Sequence, residues 1–185
     1  MPVKESSDEL NPTVVIAERD LGSTAPARTT SDYFALSIAT CGVGYLPLIP
    51  GTFGSMLGVA IFLLLVRAPS SPALVLISIV AVTFSGIWAA TRTEELSGRK
   101  DPGKVVVDEV AGQLIALFPL TLFTRWSTAA VIISFTLFRF FDIVKPYPAG
   151  RLERLKGGFG IMCDDLVAGA YAAAITSIIV AYLLE

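Results

Sequence analysis

Apolar stretches separated by short polar or glycine-rich segments make up most of this chain. Five such stretches follow one another, at 52–66, 72–91, 110–124, 127–141 and 165–184. A helix needs about 20 residues to cross a bilayer, and the second and fifth stretches reach that length comfortably. The pattern predicts an all-α fold, a polytopic integral membrane helical bundle of about five apolar helices.

The shorter stretches bring charged residues close to the expected membrane. The third reaches spanning length only if it extends back through 105–107, which places Asp108 and Glu109 at the membrane edge. The fourth needs Arg139 and Asp142 near its end in the same way. The short stretches around Pro119 could instead be re-entrant, entering and leaving on one side.

Residues 1–31 differ from the rest of the chain. They mix charges with Pro, Ser and Thr and show no helical period, which predicts a flexible polar tail. The tail lacks the apolar core of a secretory signal peptide, so we expect it to stay on the side where it was made. Residues 32–185 then form the membrane-embedded domain.

The basic residues are distributed unevenly. If the tail and the loops at 92–104 and 139–156 share one side, that side holds 12 of the 14 Lys and Arg residues. Cytoplasmic loops carry such an excess, so these segments are predicted to be cytoplasmic and the C-terminus to lie across the membrane. The pattern therefore predicts a multi-pass membrane protein whose basic segments face the cytoplasm.

The amino-acid composition excludes several classes of function. Charged residues are only 16% of the chain, against about 25% in a typical soluble domain, which again favours a bilayer. The formal net charge of −2 offers no broad cationic surface, so no nucleic-acid partner is expected. Because the chain contains no His, phosphohistidine chemistry, Ser-His-Asp triads and histidine-containing zinc sites are excluded. Cys41 and Cys163 form neither a C-x-x-C nor a C-x5-R pattern and are interpreted as small apolar fillers.

A Gly/Pro segment opens the first apolar stretch. Its candidate phosphate ligands are Gly51, Thr52, Gly54 and Ser55, because backbone N–H groups and hydroxyls at a helix start can hold an anion. The alternative is a turn whose small residues serve close packing.

Charged side chains cluster before and after the later stretches. On a helix, Arg139 and Asp142 lie three residues apart on one face, and Lys145, just before Pro146, begins the exit loop. Ionisable groups near hydrocarbon are costly and usually functional. A structural salt bridge is the alternative, but it explains one pair and not a whole set at one membrane face.

Two acidic pairs complete the candidate site. Asp164 and Asp165 follow a glycine loop and are predicted at a helix N-terminus, where helix capping would need only one carboxylate. With Asp108 and Glu109 they form an oxygen-ligand set suited to Mg²⁺. A glycine follows each pair, Gly112 and Gly169, and small residues let membrane helices approach closely enough to bring the pairs together.

Together these residues indicate metal-assisted phosphoryl transfer at a cytoplasm-facing site. Carboxylates would hold the metal, and Lys104, Arg139 and Lys145 would neutralise the charge of a phosphate. Metal-activated water is the plainest nucleophile, and aspartyl-phosphate chemistry stays open although no D-x-D motif is present. Since the site lies at headgroup depth, the substrate is expected to be a phospholipid.

Four motifs in order connect the chain to a known family. They are PGTFGS at 50–55, DEVAG at 108–112, FRFFDIVKP at 138–146 and GGFGIMCDDLVAG at 157–169. Through them, residues 33–184 resemble the phosphatidylglycerophosphatase A family. The resemblance implies Mg²⁺-dependent removal of the terminal phosphate from phosphatidylglycerophosphate, which gives phosphatidylglycerol in phospholipid biosynthesis. It also implies a multi-pass protein of the bacterial inner (cytoplasmic) membrane.

The resemblance also implies site residues. Its acidic motif positions, assigned to Mg²⁺ and the activated water, fall on Asp108, Glu109, Asp164 and Asp165. Its basic and acidic cluster falls on Arg139, Asp142 and Lys145, with Arg139 and Lys145 assigned to the substrate phosphate.

Two other classes of membrane protein also use carboxylates in or near the bilayer. A small membrane transporter or a non-enzymatic membrane subunit would also use intramembrane carboxylates. A lipid phosphotransferase would show a D-G-x2-A-R pattern, which the sequence lacks.

Overall fold

Helices account for most of the described chain. The computed structural model describes residues 28–47, 49–69, 71–124 and 127–184, which contain no β-strand. The α-helices are α1 (Thr30–Thr40), α2 (Pro50–Leu65), α3 (Ser71–Ser97), α4 (Val107–Leu117), α5 (Thr128–Val144), α6 (Ala149–Leu152) and α7 (Gly158–Leu184). Short 3₁₀ turns follow α1 and α4, at Val43–Tyr45 and Phe118–Leu122. The all-α prediction is confirmed for this part of the chain.

The prediction of about five membrane-crossing helices is only partly confirmed. Two helices in the described ranges are long and apolar enough to cross a bilayer, within Pro72–Ser97 and Gly158–Tyr182. The helix α2 has 16 residues and α5 has 17, short of the roughly 20 that a span needs. The helix α4 ends after 11 residues, because the chain tightens into a 3₁₀ turn that contains Pro119.

Few residues in the apolar parts of the two long helices are fully buried by the rest of the protein. Only 22% of the apolar window of α3 and 33% of that of α7 are buried within the protein. Ile77 and Phe84 on α3 are 63% and 71% exposed. Continuous apolar exposure of this kind is unfavourable in water and is typical of a surface that contacts lipid or a partner. The structure therefore favours a bilayer around these helices.

The helix α1 was not predicted from the apolar pattern. It begins at Thr30, inside the segment expected to be a flexible tail, because Thr29 and Asp32 form a capping box. Asp32 is almost fully buried and accepts a hydrogen bond of 2.7 Å from Nε of Arg92 on α3. This ion pair docks α1 on α3. The rest of the predicted tail, residues 1–27, lies outside the described residues.

The centre of the fold is the contact between α4 and α7. Gly112 and Gly169 meet there so closely that a Cβ added to Gly169 would collide with the carbonyl oxygen of Gly112. A Cβ on Gly112 would lie 2.6 Å from the carbonyl oxygen of Asp165. The predicted close approach of these two helices through glycine is confirmed.

The ends of four helices converge on one face of the bundle. Gly51, at the start of α2, lies against Glu109, at the start of α4, and close to Arg139, near the end of α5. Asp165 reaches the same place from the N-terminal part of α7. Most of the charged residues singled out from the sequence therefore gather at this face.

Candidate active site

Three carboxylates form the centre of the site. Asp108 and Glu109 come from the first turn of α4 and Asp165 comes from α7. One carboxylate oxygen of each lies within 4.8 Å of the corresponding oxygens of the other two. Asp108 is 8% exposed and Asp165 is 3% exposed. The two helices thus hold three acidic groups together, with Asp108 and Asp165 buried and Glu109 half-buried.

The cluster has oxygens that accept no hydrogen bond from the described residues. Asp108 Oδ1 and Glu109 Oε2 are both buried and unpartnered in this sense. Burial raises the pKa of both carboxyl groups, and the charge of Asp108 raises the pKa of Glu109 further. A divalent cation would satisfy these oxygens and balance their charge, and carboxylate oxygens are the ligands Mg²⁺ prefers. The residues present therefore fit a magnesium ion.

The helix α7 begins earlier than the sequence predicted. It starts at Gly158, and its first turn contains no acidic residue. Asp164 and Asp165 are the seventh and eighth residues of the helix, so the predicted position at the N-terminus is wrong. Since the glycine loop continues into the helix instead of ending before it, a capping role for these carboxylates is ruled out.

Adjacent residues of α7 have different surroundings. Asp165 joins the carboxylate cluster, while Asp164 Oδ2 accepts a hydrogen bond of 2.7 Å from Nζ of Lys145. The other oxygen of Asp164, Oδ1, is buried and accepts no hydrogen bond from the described residues. The assignment of Asp164 to a metal stays a prediction.

Lys145 is held at the edge of the site by two acids. It follows the last residue of α5 in a left-handed conformation, with φ of 46°, which confirms the predicted start of the exit loop. Its Nζ also lies 3.3 Å from Oε2 of Glu153. Burial lowers the pKa of Lys145, but the hydrogen bonds and charges of Asp164 and Glu153 outweigh burial and raise it above its ordinary value. Lys145 therefore stays cationic.

Glu153 was not singled out from the sequence. It is an acid in a segment that is otherwise basic, beside Arg151, Arg154 and Lys156. That lone acid is the signal that could have indicated an ion-pair partner for a nearby lysine.

Arg139 is the second cation of the site. Its Nη1 lies 2.7 Å from Oδ2 of Asp142, so the predicted pair three residues apart on one helical face is confirmed. The same nitrogen donates a hydrogen bond of 3.3 Å to Oγ of Ser55 on α2. Ser55 Oγ in turn donates to the carbonyl oxygen of Gly51 at 3.0 Å. These contacts fix the guanidinium beside the start of α2.

Gly51 and Gly54 let the start of α2 approach α4. A Cβ on Gly51 would collide with Oε1 of Glu109 and lie 3.3 Å from Nη1 of Arg139. A Cβ on Gly54 would lie 2.9 Å from the carbonyl oxygen of Val106. Close packing is thus one role of these glycines, and phosphate binding by 51–55 stays a prediction.

Two of the predicted phosphate ligands have other neighbours. Lys104 Nζ lies 5.9 Å from the centre of the Tyr45 ring, a cation–π contact beside the 3₁₀ turn after α1. Thr52 lines an apolar groove between α2 and α5. A direct role of either residue with phosphate stays a prediction.

The arrangement is suited to chemistry on a phosphate ester. A buried carboxylate cluster that fits a divalent cation lies beside Arg139, and Asp164, next to Asp165 in the chain, holds Lys145. Such a combination can stabilise the negative charge of a phosphoryl group during transfer.

Comparison with known proteins agrees with this chemistry. The chain matches the family described as phosphatidylglycerophosphatase A over residues 37–180. It is 34% identical to the phosphatidylglycerophosphatase A of Haemophilus influenzae, over 77% of this chain and 86% of that protein. It is also 34% identical to the phosphatidylglycerophosphatase A of Escherichia coli, over 72% of this chain and 76% of that protein.

A third relative carries a different name. The chain is 42% identical to a protein of Bacteroides thetaiotaomicron that is provisionally named a phosphatidylinositol-3-phosphatase. The match covers 71% of this chain and 83% of that protein. No solved structure matches the chain.

Proposed function

Because the chain belongs to the phosphatidylglycerophosphatase A family and is a phosphatidylglycerophosphatase, we propose that it works by Mg²⁺-dependent hydrolysis at a cytoplasm-facing site. It converts phosphatidylglycerophosphate to phosphatidylglycerol and inorganic phosphate in phospholipid biosynthesis. The observation that carries the proposal is the cluster of Asp108, Glu109 and Asp165, with carboxylate oxygens within 4.8 Å of one another. Buried acids this close need a cation, and a phosphatase needs positive charge at the phosphate.

Asp108, Glu109 and Asp165 would hold the magnesium ion, with Asp164 as a further candidate through its unpartnered Oδ1. Magnesium held there would supply Lewis-acid stabilisation of the phosphoryl oxygens and a more acidic water as the nucleophile. Hydrolysis joins a water oxygen to phosphorus and breaks the bond between phosphorus and the glycerol oxygen. The leaving oxygen takes up a proton and becomes the free hydroxyl of phosphatidylglycerol.

Arg139 and Lys145 would bind the phosphate oxygens. Arg139 is already oriented by Asp142 and Ser55, and Lys145 by Asp164 and Glu153, so little side-chain freedom is lost when substrate binds. The hydrogen bonds and charges of Asp164 and Glu153 raise the pKa of Lys145, so its side chain stays cationic. Arg139 and Lys145 would offset the charge that accumulates on the phosphoryl oxygens during transfer.

The cytoplasmic orientation is supported by the basic loops. The segments 92–104 and 139–156 flank the converging helix ends, and they hold nine of the 14 Lys and Arg residues. The positive-inside rule places such segments in the cytoplasm. The active site would then lie at headgroup depth of the inner leaflet.

Phosphatidylinositol 3-phosphate is a second candidate substrate, because the Bacteroides relative at 42% identity is named for it. Both lipids carry a phosphate monoester on a polyol headgroup. A site built from a metal and two cations recognises that shared group, and discrimination depends on the polyol. We favour phosphatidylglycerophosphate, because the family and two relatives bear its name.

The deciding experiment measures phosphate release by the purified protein in detergent micelles. The substrates are phosphatidylglycerophosphate, phosphatidylinositol 3-phosphate, phosphatidic acid and a water-soluble phosphomonoester, each with Mg²⁺ or with EDTA. We expect Mg²⁺-dependent release that is fastest from phosphatidylglycerophosphate. Faster release from phosphatidylinositol 3-phosphate would identify that lipid as the preferred substrate. Undiminished release in EDTA would contradict the requirement for a metal. No release from folded protein with any divalent cation would favour a transporter or a non-enzymatic subunit.

A further inference from the structure

An apolar groove runs between α2 and α5 at the surface of the bundle. Its volume is about 350 Å³. It is lined by Thr52, Met56, Val59, Val131, Ile132 and Phe135. The Thr52 hydroxyl is the one polar side-chain group among these residues, so the groove offers almost nothing for water to bind.

One end of the groove lies at the active site. Thr52 follows Gly51, which lies against Glu109 and Arg139, and Phe135 precedes Arg139 by about one helical turn. The hydrogen bond between Arg139 and Ser55 joins α5 to α2 at this end. From there the groove follows both helices away from the carboxylates.

The groove has the length and shape of a short section of hydrocarbon chain. Residues 52–59 of α2 extend about 10 Å at 1.5 Å per residue. The groove is open along its side, because Met56 is 54% exposed and Ile132 is 60% exposed. A lipid chain could therefore enter it sideways from the bilayer.

We propose that this groove holds one acyl chain of the phospholipid substrate while the phosphate occupies the active site. The inference rests on the proposed function and adds to it the part of the substrate that the groove recognises. Its physical basis is continuity: the phosphate-binding cation Arg139 and the groove-lining Phe135 lie on successive turns of α5. A phospholipid has the matching order, with a charged headgroup joined to an apolar acyl chain.

The bound acyl chain contributes more to the position of the phosphate than to the affinity for the substrate. Lipid tails in a bilayer are already in apolar surroundings, so entry into the groove brings little hydrophobic gain. A chain held between α2 and α5 would, however, fix the distance of the phosphate from the carboxylate cluster. Correct placement of reacting groups is worth large factors in rate.

Filling the groove tests the proposal. Ile132→Trp places a bulky ring in the groove, and Ile77→Trp is its matched control on α3, since Ile77 is 63% exposed and does not line the groove. The probes are dioleoyl and dihexanoyl phosphatidylglycerophosphate in detergent micelles. We expect Ile132→Trp to lower kcat/KM for the dioleoyl lipid by about tenfold, because its phosphate is misplaced. The dihexanoyl lipid should lose much less activity, because its shorter chains fill only the part of the groove nearest the active site and depend less on the far end for their position.

A second variant on the facing wall, Met56→Trp, should reproduce this selectivity. Equal loss with both lipids would overturn the proposal and indicate a structural lipid or a partner helix in the groove. Unchanged kcat/KM with the dioleoyl lipid would overturn it as well. If the wild-type protein released no phosphate from either lipid, the proposed function itself would fail. Thermal unfolding of each variant shows whether a loss reflects misfolding.

Discussion

Asp164 and Asp165 show how one residue step changes a chemical environment. Successive residues of an α-helix point about 100° apart, and on α7 this rotation turns Asp164 and Asp165 toward different neighbours. Asp165 faces the first turn of α4 and joins the acidic cluster, while Asp164 faces the end of α5 and pairs with Lys145. One carboxylate is placed for a metal cation, and the other holds the ammonium group of Lys145 beside it.

Removing a charge from the cluster should abolish activity. We expect Asp165→Asn and Asp108→Asn each to lower phosphate release by about a hundredfold or more, as loss of one group that stabilises transition-state charge does elsewhere. The protein should still insert into membranes, because an amide retains the size of the carboxyl group. Glu95→Gln is the control, since Glu95 forms only an exposed ion pair with Arg92. Turnover close to wild type in both cluster variants would contradict the metal assignment.

A methyl group at Gly51 should impair catalysis with little loss of stability. In Gly51→Ala the new Cβ collides with Oε1 of Glu109, the end of a flexible side chain that can move away. Glu109 then leaves its place in the cluster, and we expect kcat to fall by about tenfold or more. Gly103→Ala is the matched control, because its Cβ would meet nothing within 4 Å. Steady-state kinetics and thermal unfolding in detergent distinguish the two effects, and equal kcat in both variants would show that Glu109 is not positioned by this contact.

At the scale of elements, the site depends on how closely α4 and α7 approach. The cluster takes two acids from α4 and one from α7, so its geometry depends on the distance between these helices. Gly112 and Gly169 set that distance by removing side chains from the contact. These two glycines therefore affect chemistry as well as packing.

Widening this contact should reduce stability and activity together. In Gly169→Ala the new Cβ meets the carbonyl oxygen of Gly112, which is backbone and cannot turn aside. We expect a loss of about 1–3 kcal/mol in the free energy of unfolding, typical of overpacking. Phosphate release should fall as well, because Asp165 moves away from Asp108 and Glu109. Ala170→Leu adds more volume on the exposed side of the same helix and should be nearly neutral in both measurements.

At the scale of the whole molecule, chemistry and basic charge share one face. The helices α2, α4 and α7 begin there and α5 ends there, and the segments that follow α3 and α5 are rich in Lys and Arg. Arg67, between α2 and α3, lies at the opposite end of the 27-residue helix α3. A bilayer around α3 would place Arg67 and Lys156 on opposite sides.

Labelling of single cysteines should reveal this orientation. We would replace Cys41 and Cys163 by alanine and introduce Arg67→Cys or Lys156→Cys, both at exposed positions. A membrane-impermeant maleimide should label only Arg67→Cys in intact spheroplasts and only Lys156→Cys in inverted vesicles. The reverse pattern would put the site outside the cytoplasm. Labelling of both from one side would show that α3 does not cross.

Features that depend on near neighbours along the chain could be predicted from the sequence alone. The apolar stretches predicted helices throughout the described core, the spacing of Arg139 and Asp142 predicted their ion pair, and the glycines after each acidic pair predicted a close helix contact. These features follow from the helical repeat, which links residues three and four apart. Four ordered motifs also identified the family.

Which of these residues meet depends on contacts between distant parts of the chain. Asp165, and not its neighbour Asp164, joins Asp108 and Glu109, and Lys104 lies over the Tyr45 ring. The apolar pattern also overestimated the number of spanning helices and missed α1, because it records neither the break at the 3₁₀ turn after α4 nor an ion pair that docks a short helix. Such contacts join residues far apart in sequence, and their geometry depends on how each helix is rotated and how closely it packs against the others.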